Sequence, residues 1–181
     1  MMLGKFELIP PPLLMHFAQQ QSVHLVAFVR HGDIEQPYSL DPGLTPLGAS
    51  RIGDLCSTFA PFSNCLLVHS AKRRARETAA ILCKGIDVRE VRELELLREV
   101  NPQALTGIGY SPDQEVESDR LRALEVTRVL TELAYKYKRV MIVSHKNLLN
   151  FIVGTLNSKG FERDLFEEFG SIAWLRWYSD V

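Results

Sequence analysis

The feature that most constrains the fold is a regular alternation of short strand-like runs with amphipathic segments between residues 24 and 178. The runs have lengths typical of strands, and they predict strands at 24–30, 64–69, 88–94, 139–144 and 171–178. The segments between them carry apolar residues three and four positions apart, which predicts helices at 45–60, 73–84, 118–138, 147–156 and 161–169. Strands separated by helices form βαβ units. The chain is therefore predicted to be an α/β protein, a three-layer α/β/α sandwich whose central, mostly parallel sheet is flanked by helices.

Capping residues mark where several of these helices begin and end. Thr45 is a typical helix N-cap, and Pro46 then occupies the first helical position, where its missing N–H costs nothing. Gly85 and Gly170 follow the last apolar positions of two other helices, where a glycine commonly ends a helix. These local signals agree with the spacing of the apolar residues.

Size and charge predict one folded domain without a general affinity for nucleic acid. A chain of 181 residues can bury a sizeable core without disulfides or metal ions. We find no internal repeat and no linker-like tract, so we predict an N-terminal extension at 1–23 and a single domain at 24–181. The 21 Lys and Arg residues are balanced by 22 Asp and Glu residues, a formal net charge of −1. Any electropositive function must therefore be local.

Cysteine usage and apolar run length predict a cytoplasmic protein. Cys56, Cys65 and Cys83 form no C-x-x-C pair and cannot all pair with one another, which favours reduced, buried thiols. The apolar runs are far shorter than the roughly 20 residues that a membrane span needs. Glu7 and the prolines at 10–12 interrupt any signal-peptide core.

Polar residues follow three of the predicted strands at the point where each strand ends. Arg30, His31 and Gly32 follow the first strand, His69 and Ser70 the second, and Ser144 and His145 a later one. In parallel α/β sheets, ligands bind beyond the carboxyl ends of the strands. We therefore expect these groups to converge at one edge, with Ser70 interpreted as a cap of the following helix.

Four basic residues cluster where the helix at 73–84 begins: Lys72, Arg73, Arg74 and Arg76. The helix dipole disfavours cations at that end, whereas a bound phosphate would be stabilised by the free N–H groups and by an arginine. We interpret Lys72, Arg73 and Arg76 as solvated surface side chains. Arg74 is the candidate phosphate ligand.

Taken in order, these segments resemble the histidine phosphatase superfamily, the phosphoglycerate-mutase-like enzymes. Residues 30–32 resemble the family's RHG signature, and Leu44-Thr45-Pro46-Leu47-Gly48 resembles the L-T-x-x-G opening of the next helix. Residues 70–79 are similar to S-x-x-x-R-A-x-Q-T-A, with Glu77 in place of the usual glutamine. Residues 97–99 resemble the L-x-E segment, and residues 143–145 resemble the late strand that ends in SH. The resemblance spans residues 24 to about 178.

The resemblance implies a phosphatase that needs neither a metal ion nor another cofactor. His31 would be the nucleophile and Glu99 the general acid and base, while Arg30, Arg74 and a cationic His145 would surround the phosphoryl oxygens. Should Glu99 point away from the site, Glu95 or Asp33 would replace it.

Departures from the family pattern leave the substrate open. Ile34 and Pro37 stand where many members carry serine and asparagine, and Lys146 replaces the glycine after the late SH. The candidate substrate contacts are Asp33, Gln36 and Lys146. The short segment at 108–117 predicts an open site, which favours a phosphatase over a mutase, since a mutase must exclude water from its intermediate.

Two alternatives accompany the reading as a phosphomonoester phosphatase. One is a phosphohistidine protein phosphatase, because Asp33 extends the signature to the RHGD of small bacterial enzymes of that kind. The other is a non-catalytic phosphate-binding module, because Ile34, Pro37 and Lys146 depart from the family pattern. The predicted partner is a phosphorylated small molecule or a phosphoprotein, not a nucleic acid or a membrane. The oligomeric state is left open.

Overall fold

A six-stranded sheet lies at the centre of the computed structural model, which describes residues 5–20, 22–35, 40–102, 114–157 and 165–178. The strands are β1 (Lys5–Leu8), β2 (His24–Arg30), β3 (Cys65–Ser70), β4 (Val88–Leu94), β5 (Arg139–Ser144) and β6 (Ile172–Tyr178). Their order across the sheet is β1-β6-β2-β5-β3-β4. Strands β2, β5, β3 and β4 are mutually parallel, whereas β6 runs antiparallel to both β2 and β1. The predicted mostly parallel sheet is confirmed.

Helices cover both faces of this sheet. They are α1 (Leu14–Ala18), α2 (Pro46–Leu55), α3 (Arg73–Gly85), α4 (Gln114–Lys136) and α5 (Lys146–Leu156). Successive side chains of a strand point to opposite faces, so β2 supplies Val26 and Phe28 to the core under α4 and α5. Leu25 and Val29 enter the other core, under α1, α2 and α3. The predicted three layers are confirmed.

Two predicted helices differ from the structure. The helix predicted at 45–60 ends at Leu55 and continues as a 3-10 segment, Cys56–Phe62, which contains Pro61. Proline has no N–H to donate, so an α-helical ladder cannot run through it. The helix predicted at 161–169 is wrong over 165–169, where the chain forms turns, while 161–164 lie outside the described residues. The carbonyls of Phe166 and Glu167 in these turns accept hydrogen bonds from the Arg30 side chain instead of from helix N–H groups.

The N-terminal segment contributes to the sheet. Strand β1 pairs with β6, and Phe6 of β1 is buried in the core under α4 and α5. The Nε of Arg176 on β6 donates a hydrogen bond to Glu7 over 2.8 Å. Residues 5–8, part of the predicted extension, are thus an edge strand of the domain.

The three cysteines are free thiols in the structure. Cys65 is buried at the start of β3, and burial raises the pKa of its thiol to about 12. Such a thiol is inert, as a buried structural cysteine is expected to be. Across the described part of the chain, no helix has the length and apolarity needed to cross a membrane.

Candidate active site

The carboxyl ends of β2, β5 and β3 bring together side chains that are distant in the sequence. In the sheet register Arg30 is paired with Ser144, and the backbone N–H of His31 donates to the Ser144 carbonyl over 3.1 Å. As a result the rings of His31 and His145 lie edge to face, with centroids 5.1 Å apart. The convergence expected from the strand ends is present.

His31 is held as a neutral imidazole with one nitrogen available for attack. Its Nδ1 lies 2.9 Å from the Gly32 carbonyl oxygen, which can only accept, so Nδ1 carries the proton. Its Nε2 accepts a hydrogen bond from Nε of Arg74 over 3.1 Å. Burial, helped by the nearby Arg74 and Arg30 charges, lowers the pKa of His31 to about 4. Nε2 therefore carries a lone pair at neutral pH.

Two contacts fix the backbone around His31. The Gly32 N–H donates to Oγ1 of Thr78 over 3.2 Å, and that hydroxyl donates to the Arg74 carbonyl over 2.8 Å. On the other side α2 packs tightly, since a Cβ added to Gly48 would lie 2.5 Å from the Asp33 carbonyl oxygen. The glycine of the L-T-x-x-G motif thus allows α2 to approach the loop that follows His31.

Arg74 lies in the first turn of α3, with a side chain that is only 15% exposed. The sequence analysis expects a phosphate at this helix N-terminus, but a carboxylate is already there. Both oxygens of Asp41 accept from the Arg73 N–H over 3.1 Å, and Asp41 Oδ1 lies 3.7 Å from Nη1 of Arg74. The Asp41 carboxylate thus occupies the positive end of the helix dipole. Arg74 contributes to the site through its guanidinium, which contacts His31.

Arg30 is held by the turns at 165–170. Its Nη1 donates to the Phe166 carbonyl over 2.8 Å and also to the Glu167 carbonyl. The guanidinium lies over the ring of Phe169, 4.1 Å from the centroid, and the same ring is 5.5 Å from that of His31. These carbonyls face the arginine, which explains why the predicted helix is absent there.

Gly170 anchors the same turns to His31. Its N–H donates to the His31 carbonyl over 3.2 Å, and its φ is +75°, a conformation that favours glycine. The sequence analysis interprets Gly170 as a helix end and misses Phe169 altogether. No local sequence signal distinguishes Phe169 from an ordinary core residue.

Glu99 lies at the N-terminus of α5. Its Oε1 accepts from the backbone N–H groups of Val100, over 3.1 Å, and Leu148, over 3.2 Å, while Oε2 is 3.5 Å from that of Asn147. Burial raises the pKa of Glu99, and these hydrogen bonds offset part of the effect.

The two carboxyls named above as alternatives to Glu99 make ion pairs instead. Glu95 pairs with Arg98 on the surface, and Asp33 pairs with Arg51 over 2.9 Å. Glu99 is thus half-buried and held by backbone N–H groups, whereas Glu95 and Asp33 each pair with an exposed arginine.

Arg122 of α4 holds the backbone that carries Glu99. Its Nη1 donates to the carbonyls of Leu96 (2.9 Å) and Arg98 (2.8 Å), and its Nη2 donates to that of Glu99 (2.8 Å). Nη2 also donates to Asp119 over 2.7 Å, and both side chains of this pair are nearly buried. Sequence reasoning missed Arg122, because an arginine on a long charged helix looks like a surface residue.

We expect Arg122→Met to lower the free energy of unfolding by about 3–5 kcal/mol, because it leaves the buried Asp119 carboxylate without its charged partner and with only the Asn101 N–H. Urea denaturation measures the loss. Arg120→Met on the same helix is the matched control, since Arg120 is 46% exposed and pairs with Glu117; its effect should stay within about 0.5 kcal/mol. Equal losses in the two variants would show that the Arg122 contacts are not a stabilising network.

His145 is completely buried at the end of β5. Its Nε2 lies 2.9 Å from Oγ of Ser70, and its Nδ1 has no hydrogen-bond partner among the residues that the structure describes. Burial, with His31, Arg74 and Lys72 nearby, lowers the pKa of His145 well below its ordinary value. The motif resemblance implies a cationic His145, whereas burial beside Arg74 and Lys72 favours the neutral ring.

The two buried histidines predict a stability that falls in acid. The folded pKa of His31 is about 4 against an ordinary 6.5, so between these values the unfolded chain binds a proton that the folded chain does not. We therefore expect the free energy of unfolding to decrease as the pH is lowered through this window. Urea denaturation near pH 7 and about pH 5 measures the change in the free energy of unfolding between the two pH values. His31→Gln should make this change smaller. An unchanged pH dependence in His31→Gln would contradict the assignment.

The remaining candidate residues lie at the rim. Lys146 forms an ion pair with Glu167, and Ile34 makes an isolated bridge with Leu44. Glu77 accepts from the Leu44 N–H over 2.6 Å and from Nε of Arg73 over 2.7 Å, so it ties the loop before α2 to α3. Gln36, Pro37 and most of the segment at 108–117 lie outside the described residues, so the predicted open site stays a prediction.

The arrangement is suited to transfer of a phosphoryl group. A neutral imidazole nitrogen lies beside a guanidinium, a second guanidinium stands at the end of β2, and a half-buried carboxyl lies near both cations. Guanidinium groups stabilise charge on phosphoryl oxygens, and a carboxyl with a raised pKa can hold a proton for a leaving group. In the described ranges no three His, Cys, Asp or Glu side chains are grouped so as to hold a metal ion.

Comparison with protein-family models finds a match over more than half of the chain. The model of the histidine phosphatase superfamily (branch 1) matches residues 26–126, which include His31, Arg74 and Glu99. A comparison with curated protein sequences finds no match.

Comparison with solved structures finds the same fold. Mycobacterial glucosyl-3-phosphoglycerate phosphatase has a TM-score of 0.65 at 17% identity, covering 88% of this chain and 98% of that chain. Phosphoglycerate mutase from Bacillus anthracis has a TM-score of 0.62 at 19% identity, covering 88% and 92%. A candidate phosphohistidine phosphatase, SixA from Agrobacterium tumefaciens, has a TM-score of 0.57 at 12% identity, covering 87% and 96%. At such identities the likeness shows the fold, not the substrate.

Proposed function

The chain belongs to the histidine phosphatase superfamily, branch 1, and from this premise we propose that it hydrolyses phosphomonoesters through a phosphohistidine intermediate on His31. The observation that carries the proposal is the state of His31: its Nδ1 is bound to a carbonyl, and its Nε2 lies 3.1 Å from the Arg74 guanidinium. That nitrogen is a nucleophile placed beside a phosphate ligand.

In the first step, Nε2 of His31 attacks phosphorus and the bond from phosphorus to the ester oxygen breaks. Arg30 and Arg74 stabilise the charge that spreads over the phosphoryl oxygens. Glu99, whose pKa is raised by burial, acts in its protonated form and gives its proton to the departing oxygen. The products of this step are the free alcohol and a phosphohistidine whose Nδ1–H remains bound to the Gly32 carbonyl.

In the second step, water replaces the imidazole on phosphorus. The Glu99 carboxylate, now deprotonated, takes a proton from the attacking water, and the bond from nitrogen to phosphorus breaks. Inorganic phosphate leaves, His31 is again neutral, and Glu99 is again protonated. The charge is supplied by the two guanidinium groups, so this reaction sequence needs no metal ion.

The test uses p-nitrophenyl phosphate and the intact protein. We expect hydrolysis to proceed at the same rate with and without EDTA, and rapid quenching to capture a phosphoryl group on His31. Phosphate bound to a histidine nitrogen is stable in base and labile in acid, which separates it from a phosphoserine. Turnover that is lost in EDTA and restored by magnesium would contradict the proposal. Phosphate binding with neither turnover nor a phosphorylated histidine would support the phosphate-binding module instead.

A phosphohistidine protein phosphatase is the second candidate, favoured by Asp33 directly after Gly32 in the RHGD opening. In the structure Asp33 lies at the rim and pairs with Arg51. The same preparation is tested on a protein phosphorylated on histidine. A kcat/KM for that protein well above the value for p-nitrophenyl phosphate would favour this candidate, and the reverse order would remove it.

A further inference from the structure

We propose that Ser70 is a positioning residue that keeps the proton of His145 on Nδ1, so that this nitrogen donates a hydrogen bond to the phosphoryl group. The proposal rests on the proposed function, because it assigns a task to a group of that site. It concerns two residues 75 positions apart, at the ends of the strands β3 and β5.

The geometry around Ser70 limits where its proton can go. Ser70 is completely buried, as His145 is. Its Oγ accepts a hydrogen bond from the Lys72 N–H over 3.3 Å and lies 2.9 Å from Nε2 of His145. A serine hydroxyl has one proton and two lone pairs, and the Lys72 amide occupies one lone pair.

Two arrangements of the protons are compatible with a neutral His145. If the ring proton were on Nε2, it would donate to Ser70, and the serine proton would then have no described acceptor. If the ring proton is on Nδ1, the Ser70 hydroxyl donates to Nε2, and both groups of that contact are satisfied. The first arrangement thus leaves two buried groups unpaired, the serine proton and Nδ1, whereas the second leaves only the Nδ1–H. Because buried polar groups are nearly always paired, the second arrangement is favoured.

The second arrangement leaves one buried donor without a partner, the Nδ1–H of His145. The same ring lies edge to face with that of the nucleophile, 5.1 Å between centroids. A phosphoryl oxygen is the acceptor that the reaction itself supplies at this place. His145 can therefore stabilise the phosphoryl group as a neutral donor, without first gaining a charge in a buried site.

Removal of the Ser70 hydroxyl should remove the hydrogen bond that keeps the His145 proton on Nδ1. In Ser70→Ala, Nε2 loses its partner and the ring can place its proton on either nitrogen. We expect kcat for p-nitrophenyl phosphate to fall about tenfold to a hundredfold, less than the roughly 10²–10³-fold expected when His145→Ala removes the donor itself. Ser70→Thr, which keeps the hydroxyl, should recover most of the activity. Thr127→Val is the control, since it removes a buried hydroxyl from α4 that donates to the Ala123 carbonyl of its own helix.

A double-mutant cycle tests whether Ser70 acts through His145. We expect Ser70→Ala to have almost no further effect on kcat when His145 is already alanine, because the ring that it positions is gone. An equal loss from Ser70→Ala in both backgrounds would overturn the proposal.

Nitrogen-15 NMR of labelled histidine provides a readout that does not depend on activity. We expect the wild-type spectrum to show His145 protonated at Nδ1, and Ser70→Ala to show a mixture of the two tautomers. A proton on Nε2 in the wild-type protein would overturn the proposal, even if Ser70→Ala fails to fold. Absence of a phosphorylated His31 would instead count against the proposed function and leave the NMR result to decide on Ser70.

Discussion

His31→Ala is expected to lower kcat for p-nitrophenyl phosphate by about four to six orders of magnitude, the range seen when a covalent hydrolase loses a residue of its nucleophilic machinery. The physical reason is that no other described group in the site combines a bare nitrogen lone pair with contact to Arg74. Because burial keeps His31 neutral, its removal leaves no uncompensated charge, and the variant should fold. Initial rates in EDTA measure the loss.

The matched control for His31→Ala lies at the other end of β2 from the site. His24, at the opposite end of β2, is a half-buried histidine whose Nδ1 is 2.7 Å from the Ala134 carbonyl oxygen. His24→Ala removes an imidazole and a hydrogen bond without touching the site, so its kcat should stay near the wild-type value. Substantial turnover by His31→Ala, or an equal loss in His24→Ala, would show that His31 is not the nucleophile.

Glu99→Gln is expected to have an effect that depends on the leaving group. An alkyl phosphate needs a proton on its departing oxygen, so its kcat should fall about 10²–10⁴-fold. The p-nitrophenolate ion leaves without help, so its release should be affected much less. The water step still loses its base, and phosphorylated His31 should therefore accumulate in Glu99→Gln. Single-turnover measurements of both products separate these effects.

The pH dependence of kcat/KM gives a second check on Glu99. Activity needs an unprotonated His31, so it should rise as the pH passes about 4. With an alkyl phosphate as substrate, activity also needs a protonated Glu99, so it should fall once the pH exceeds the raised pKa of that carboxyl. Glu99→Gln should lose the decline at high pH. The control is Glu95→Gln, which changes an exposed acid on the same segment; an identical profile in the two variants would contradict the role of Glu99.

Local patterns predicted the sheet well because the burial of each strand is visible in the polarity of its own residues. Strands β2 and β5 lie at the predicted residues, 24–30 and 139–144, since fully buried strands are short apolar runs with polar residues at both ends. Their carboxyl ends carry His31 and His145, and the parallel register alone brings those residues together. Fold class and the convergence of the site were therefore predictable from the sequence.

The contacts that define the chemistry were less predictable because both partners must first be folded. Turns occupy 165–169 instead of the predicted helix, since their carbonyls bind Arg30, which lies more than 130 positions earlier. Arg122 holds the Glu99 segment from α4, where the spacing of charges indicates only a solvated face. No local propensity encodes such distant partners.

The sequence by itself determined which side chains reach the active edge, because strand ends and motif spacing are local properties of the chain. The tertiary structure alone decided their protonation and orientation. His31 and His145 are neutral because the surrounding layers remove them from water, and the Nδ1 proton of His31 is set by the Gly32 carbonyl. Burial is the sum of many distant contacts, so the pKa of a histidine is a property of the packed molecule and not of the residues beside it.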